Sequence, residues 1–285
     1  MIRSLVTFFL ALALGAIAIA NPPKPATRPA TTTAFEVGHL DDPAITESSG
    51  IVASRRHPGV FWTHNDSGNP PTIFAVDREG KTINAFNIDA KNRDWEDLAI
   101  DDAGHLYIGE IGNNFGRHKQ LAVYRIDEPD PHEPQRPGQL LPVIQTWRLT
   151  FPEKPFDCES LFVWKDVGYV ISKQFDGRDA GLYRFPLTPQ TRPAVLGKIA
   201  TLPIRFPCTG ADVSSDGKQL AVQSVAGPYL FDLPTAGDFP AAEKLVPQHV
   251  FFTDVHMEAI CFTEDGLLAT TETRMMYLFR WKDLK

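Results

Sequence analysis

The chain has 285 residues, 43% of them hydrophobic and 22% charged, with 28 Lys+Arg against 35 Asp+Glu and a formal charge of −7. These figures exclude a disordered tail, a coiled coil and a polytopic membrane protein. An acidic chain without a dense Lys/Arg cluster leaves no footprint for nucleic acid or an anionic membrane, so the expected partner is a small molecule or a glycan, bound by a monomer.

Met1 to Ala20 carries one charge, Arg3, then an apolar run from Leu5 that closes on Ala18-Ile19-Ala20, a small-x-small cleavage pattern. Residues 1–20 are therefore expected to be a signal peptide, and the run is too short for a stable membrane anchor. Residues 21–33 (NPPKPATRPATTT) read as a Pro/Thr-rich linker that cannot build a core. The expected location is secreted or periplasmic, with the folded domain over residues 34–285. Export permits disulfides, and three cysteines allow at most one bridge. Cys158 and Cys208 are the favoured pair, because each lies shortly before an acid that opens a strand, while Cys261 sits inside an apolar strand.

No segment sustains a helical period, and 24 Pro and 20 Gly punctuate short Val/Ile/Tyr/Phe/Trp-rich runs, the pattern of an all-β chain. An acid recurs at the head of a short apolar strand: Glu47, Glu96, Glu159, Asp212 and Glu258, spaced by 49, 63, 53 and 46 residues. A four-stranded propeller blade takes about 40–50 residues, so the repeat predicts a single β-propeller with loop insertions. Within each unit an Asx/Gly turn leads to a second strand, as at Asp101–Gly104, Asp216-Gly217 and Asp265-Gly266. An aromatic-rich third strand follows, then a fourth over Ile83–Ile88, Val143–Thr150, Val195–Leu202 and Lys244–Phe252. The last unit lacks a fourth strand, and Phe35–Leu40 fits that vacancy. Five blades closed by an N-terminal strand are expected, six being the alternative; closure removes the open edge that a linear array would leave.

Acids at the head of each innermost strand converge on one end of the central channel, and the second strands return to the same end at Asn65-Asp66, Glu110, Lys173, Ser224 and Glu272. Such a ring of carboxylates requires protons or a cation. Oxygen donors without a His/Cys cluster favour Ca²⁺ over Zn²⁺, with Glu47, Glu96, Glu159, Asp212 and Glu258 as ligand candidates. The alternative is that each acid accepts backbone N–H bonds and holds blades together. His64 is a candidate general base, with Asp66 and Glu110 as catalytic carboxylates beside it. Lys173, Arg178 and Arg117, with Asn114, are candidates for binding a substrate anion, although the cations also suit nearby acids as counter-charges. No G-x-S-x-G elbow, G-x-G-x-x-G or P-loop pattern occurs.

HNDSGN at 64–69, WEDLAID at 95–101, GEIGNN at 109–114 and YRIDEP at 124–129 together resemble an exported bacterial β-propeller family, related in layout to phytase-like and gluconolactonase/paraoxonase-like propellers. The resemblance implies a divalent-cation funnel in which Glu and Asn side chains hold Ca²⁺ beside a hydrolytic centre. By position, Glu47, Asp66, Glu96, Glu110 and Asn113 are the counterparts of that acidic shell. The related hydrolases usually have six blades, whereas the repeat here gives five. Three functional readings follow: a cation-dependent hydrolase of esters, phosphoesters or lactones; a metal-free glycosidase with an acidic pair across the channel; and a non-catalytic ligand-binding or interaction propeller.

Overall fold

The structure is a computed structural model that describes residues 34–240, 244–254 and 256–284. The expected signal peptide and linker lie outside the described residues. Strand β1 (Phe35–His39) opens the chain, and β2 (Ser48–Ala53), β3 (Phe61–Asn65), β4 (Thr72–Val76) and β5 (Thr82–Asn87) form the first blade. The second holds β6 (Trp95–Ile100), β7 (His105–Glu110), β8 (Gln120–Asp127) and β9 (Gln145–Thr150); the third holds β10 (Cys158–Trp164), β11 (Val167–Ser172), β12 (Ala180–Pro186) and β14 (Gly197–Leu202). The fourth blade comprises β15 (Cys208–Val213), β16 (Gln219–Ser224), β17 (Tyr229–Asp232) and β18 (Gln248–His249). The fifth is β19 (Met257–Thr263), β20 (Gly266–Thr271) and β21 (Met275–Arg280), completed by β1, which pairs antiparallel with β21 from Phe35 opposite Leu278 to His39 opposite Met275. The five-bladed propeller and its N-terminal closure are thus as expected.

The outer strands depart from expectation in two places. The run expected as one strand from Val195 is split: β13 (Ala194–Val195) leaves its own blade and pairs parallel with Leu149 and Thr150 at the edge of the second. It covers part of an edge that would otherwise be unpaired. The expected strand over Lys244–Phe252 shrinks to the two residues of β18.

Blade faces pack on blade faces, so the inner strands are buried on both sides and read as nearly continuous apolar runs. All six residues of β6 are buried. Leu98 and Ile100 pack with Val52 and Trp62 of the first blade, while Ala99 packs with Leu161 and Val170 of the third. Five such layers, one per blade junction, form the core. Tryptophan N–H groups pin layers to loops; Trp62 donates to the buried Glu128 of the YRIDEP segment at 2.7 Å.

The layered core also decides the cysteines. Cys158 packs between the second and third blades and Cys208 between the third and fourth. The two thiols face different layers, and all three cysteines are free and buried. The favoured disulfide is therefore corrected.

Candidate functional site

Every inner strand pair carries a β-bulge at the same end of the channel. The register skips one residue between Ser48 and Gly50, Trp95 and Asp97, Cys158 and Ser160, Cys208 and Gly210, and Met257 and Ala259. The skipped residues are Ser49, Glu96, Glu159, Thr209 and Glu258, and a bulge re-aims the skipped side chain. Just beyond, one backbone hydrogen bond repeats five times: Asp66, Gly112, Lys173, Val225 and Glu272 donate N–H to the carbonyls of Glu47, Asp94, Asp157, Pro207 and His256 at 2.9–3.1 Å. Three residues per blade thus define the mouth.

This register changes the composition of the acidic ring. Glu47 matches Asp94 and Asp157, and the bulge position of its blade belongs to Ser49. Asp212 lies three residues past its bulge, away from the mouth. Its carboxylate accepts N–H bonds from Val213 at 2.8 Å and Phe262 at 2.9 Å, tying the fourth blade to the fifth. Burial raises it to about 6, and Arg55 draws it back. Asp97 works in the same way on a larger scale, accepting Leu98 (2.9 Å), Leu161 (2.8 Å) and Ala211 (3.0 Å) from three blades.

Glu47, Asp66, Glu96, Glu159, Lys173, Glu258, Glu272 and Asn114 line one cavity of about 160 Å³ with Ser48 and Ser49. Glu96, 3% exposed, lies at its floor, and Ser49 Oγ reaches its Oε2 at 3.2 Å. One oxygen each from Asp66, Asp94 and Glu96 lie within 4.8 Å of one another. Gly112 makes this convergence possible: a Cβ there would sit 2.5 Å from Asp94 Oδ2 and closer still to Glu96 Oε1. The second blade, which supplies two of these three acids, therefore has no side chain at its third mouth position.

The electrostatics follow from crowding. Burial, then Glu159 and Asp66, push Glu96 well above the ordinary carboxylate range. Asp94 is raised to about 6 by burial, then by Asp66, Asp157 and Glu110. Burial likewise raises Asp66, Asp157, Glu258 and Glu47. Among the described residues, Lys173 is the one cation lining the cavity. Burial opposes its charge, but Glu159, to which it is bonded, and Glu258 outweigh that and keep the ammonium protonated. One ammonium leaves most of this negative charge uncompensated.

The remaining candidates lie elsewhere. His64 is fully buried, with Nδ1 2.8 Å from the Asn65 carbonyl and its ring edge-on to Trp95. Burial lowers it to about 4, so it is a neutral packing residue out of reach of a substrate in the mouth. Glu110 is 14 residues after Glu96, as Lys173 is after Glu159, but the β6–β7 turn is one residue longer, so Glu110 stands opposite Trp95 as Ser172 stands opposite Cys158. Its carboxylate holds the N–H groups of Arg93 and Asp94 at 3.0 Å and pairs with Arg93. Asn113 braces its loop, accepting His118 N–H at 2.9 Å, while its own N–H holds Asp157 at 2.7 Å. Arg117 lies over Phe115. Arg178 pairs with Asp176 beside a separate cavity of about 450 Å³ over the third blade.

Asp94 and Asp157 are the mouth residues that sequence reasoning missed. Their signal is legible as the repeated Asp-x-Glu of Asp94–Glu96 and Asp157–Glu159.

Fold and site together define a five-bladed β-propeller with an acidic channel mouth. No protein-family model matches the chain, and no curated protein matches it by sequence. Among solved structures it is similar to a gluconolactonase from Xanthomonas campestris (16% identity, TM-score 0.46, 90% of this chain and 99% of that one). It is also similar to a virginiamycin B lyase from Staphylococcus aureus (13%, 0.43, 84% and 67%). Hydrazine synthase of Kuenenia stuttgartiensis is a third, at 13% identity and TM-score 0.41, with 79% of this chain covered and only 56% of that one.

Proposed function

We propose that the protein is a divalent-cation-dependent hydrolase whose site is the acidic mouth, with Ca²⁺ held by Asp66, Asp94 and Glu96. The observation that carries this reading is the convergence of three carboxylate oxygens within 4.8 Å around a glycine whose missing side chain gives them room. The donor set suits a hard cation, all its ligand atoms being carboxylate oxygens. Asp157 adds a buried Oδ2 without a hydrogen-bond partner, and its charge is felt at Asp94. The spacing is also tighter than the roughly 5–9.5 Å between the carboxyls of a glycosidase pair, which favours the ion over that alternative.

When bound, Ca²⁺ supplies Lewis acidity toward a carbonyl or phosphoryl oxygen. Lys173, fixed by Glu159, offers the cavity's ammonium to a substrate oxygen that gains negative charge. Glu258, whose proton affinity burial and Glu159 raise well above the ordinary carboxylate range, would give a proton to the leaving group. Ser49 orients Glu96.

Calorimetric titration of EDTA-stripped protein with Ca²⁺, followed by hydrolysis assays on nitrophenyl esters, a nitrophenyl phosphate and small lactones with and without EDTA, tests the reading. Saturable binding with EDTA-sensitive turnover is expected. No heat of binding up to millimolar Ca²⁺ overturns it, and binding without turnover of any of these compounds leaves a ligand-binding propeller instead.

A further inference from the structure

A cavity of about 160 Å³ is small beside the roughly 300–1,000 Å³ of sites that enclose a whole ligand. It admits a cation and a reacting group, so the body of a substrate must lie on the rim. Two large apolar side chains stand there in water: Phe115 is 79% exposed and Phe175 75% exposed. Both belong to loops that reach the mouth. Asn114, next to Phe115, lines the cavity. Lys173 Nζ, bonded to Glu159 within the cavity, lies 5.6 Å from the centre of the Phe175 ring. The loop carrying Phe115 is braced from inside: Asn113 accepts N–H bonds from Gly116 at 2.8 Å and His118 at 2.9 Å. The two rings come from neighbouring blades, on loops that follow β7 and β11.

Exposed phenylalanines on the loops around a functional opening mark a surface that becomes covered. Charge selects what covers it. The carboxylates of the mouth face one lysine and repel an anionic ligand body, whereas a neutral apolar body covers the rings without adding charge beside the Arg117 and Lys173 cations that lie against them.

We propose that Phe115 and Phe175 form an apolar clamp beside the mouth that holds the alkyl or aryl part of a neutral ester or lactone. This specificity rests on the hydrolase reading, with the reacting carbonyl over the Asp66–Asp94–Glu96 group. Full burial of a methylene strengthens binding about fourfold, so a chain covered on one side gains roughly twofold per methylene.

The test uses p-nitrophenyl acetate, butyrate and octanoate with Ca²⁺, comparing the full protein with Phe115→Ser/Phe175→Ser. Wild-type KM should fall roughly twofold per methylene, and the double variant should lose most of that dependence. An identical chain-length dependence in both proteins overturns the clamp. A second readout needs no turnover: N-phenylnaphthylamine fluorescence in EDTA should show binding weakened at least fivefold in the variant, and unchanged binding also overturns the proposal. Lost probe binding with no ester hydrolysed supports the clamp while the hydrolase reading fails; hydrolysis with unchanged chain-length and probe responses does the reverse. Sedimentation with phosphatidylcholine vesicles completes the set. Wild type that sediments and a variant that does not, with the ester series unchanged, overturns the clamp in favour of membrane docking.

Discussion

Asp94→Asn puts the acidic mouth to its sharpest test, because this side chain accepts no hydrogen bond from the protein among those of the described residues and the amide nearly matches the carboxylate in shape. Its carboxyl is raised from 3.8 to about 6 by burial and the neighbouring acids. At about 1.4 kcal/mol per pK unit that is ~3 kcal/mol of unfavourable energy in the charged form. Asp94 is only half-buried, so solvent screening reduces the figure to about 1–2 kcal/mol. In EDTA near pH 7.5 the variant should therefore be more stable than wild type by that amount, a rise in Tm of roughly 2–6 °C for a domain of this size. Calcium removes most of that difference. If losing one ligand charge weakens Ca²⁺ about tenfold, free Ca²⁺ at 100 times the wild-type Kd stabilises wild type by ~2.7 kcal/mol and the variant by only ~1.4. Differential scanning calorimetry of both proteins in EDTA and in Ca²⁺ measures all four states. A variant no more stable than wild type in EDTA refutes the repulsion, and equal calcium shifts in the two proteins refute Asp94 as a ligand.

Gly112→Ala should weaken Ca²⁺ binding at least tenfold by calorimetry with an unchanged far-UV spectrum, because the new methyl would occupy the space of the Asp94 and Glu96 carboxylates. Asp97→Ala should cost about 3–5 kcal/mol in urea unfolding equally with and without Ca²⁺, since it removes the acceptor shared by three inner strands. In EDTA, stability should fall as pH rises from about 4 to 7. The mouth carboxyls, Asp94 among them at about 6, have folded pKa values above their unfolded ones, so the folded state binds more protons across that window. Saturating Ca²⁺ should flatten this slope, and a metal-free Tm that climbs with pH over the same range contradicts the arrangement of charges.

Much of the architecture was legible in the residue order, because blade geometry is local. Short apolar β-rich runs, Asx/Gly turns and a repeat near 50 residues determine five hairpin-rich units, and a surplus strand before the first with a vacancy in the last determines the closure. The position of the mouth followed too, since acids that head inner strands must gather at one end of the channel. Which side chains enter it was decided only by the tertiary structure. A bulge inserts one residue into a strand whose side chains alternate, so a slip of one to three positions moves a carboxylate from the mouth to a blade junction. That slip aligned Glu47 and Asp212 with Glu96 by spacing, although Ser49 and Thr209 hold the equivalent places. It also left Asp94 unseen two residues before Glu96. One extra residue in the β6–β7 turn put Glu110 at the place of Ser172 although its 14-residue offset made it look like Lys173, and packing against Trp95 enclosed His64 although its motif reads as a surface loop. Spacing along the chain determines where blades begin; hydrogen-bond register across strands determines where their side chains point.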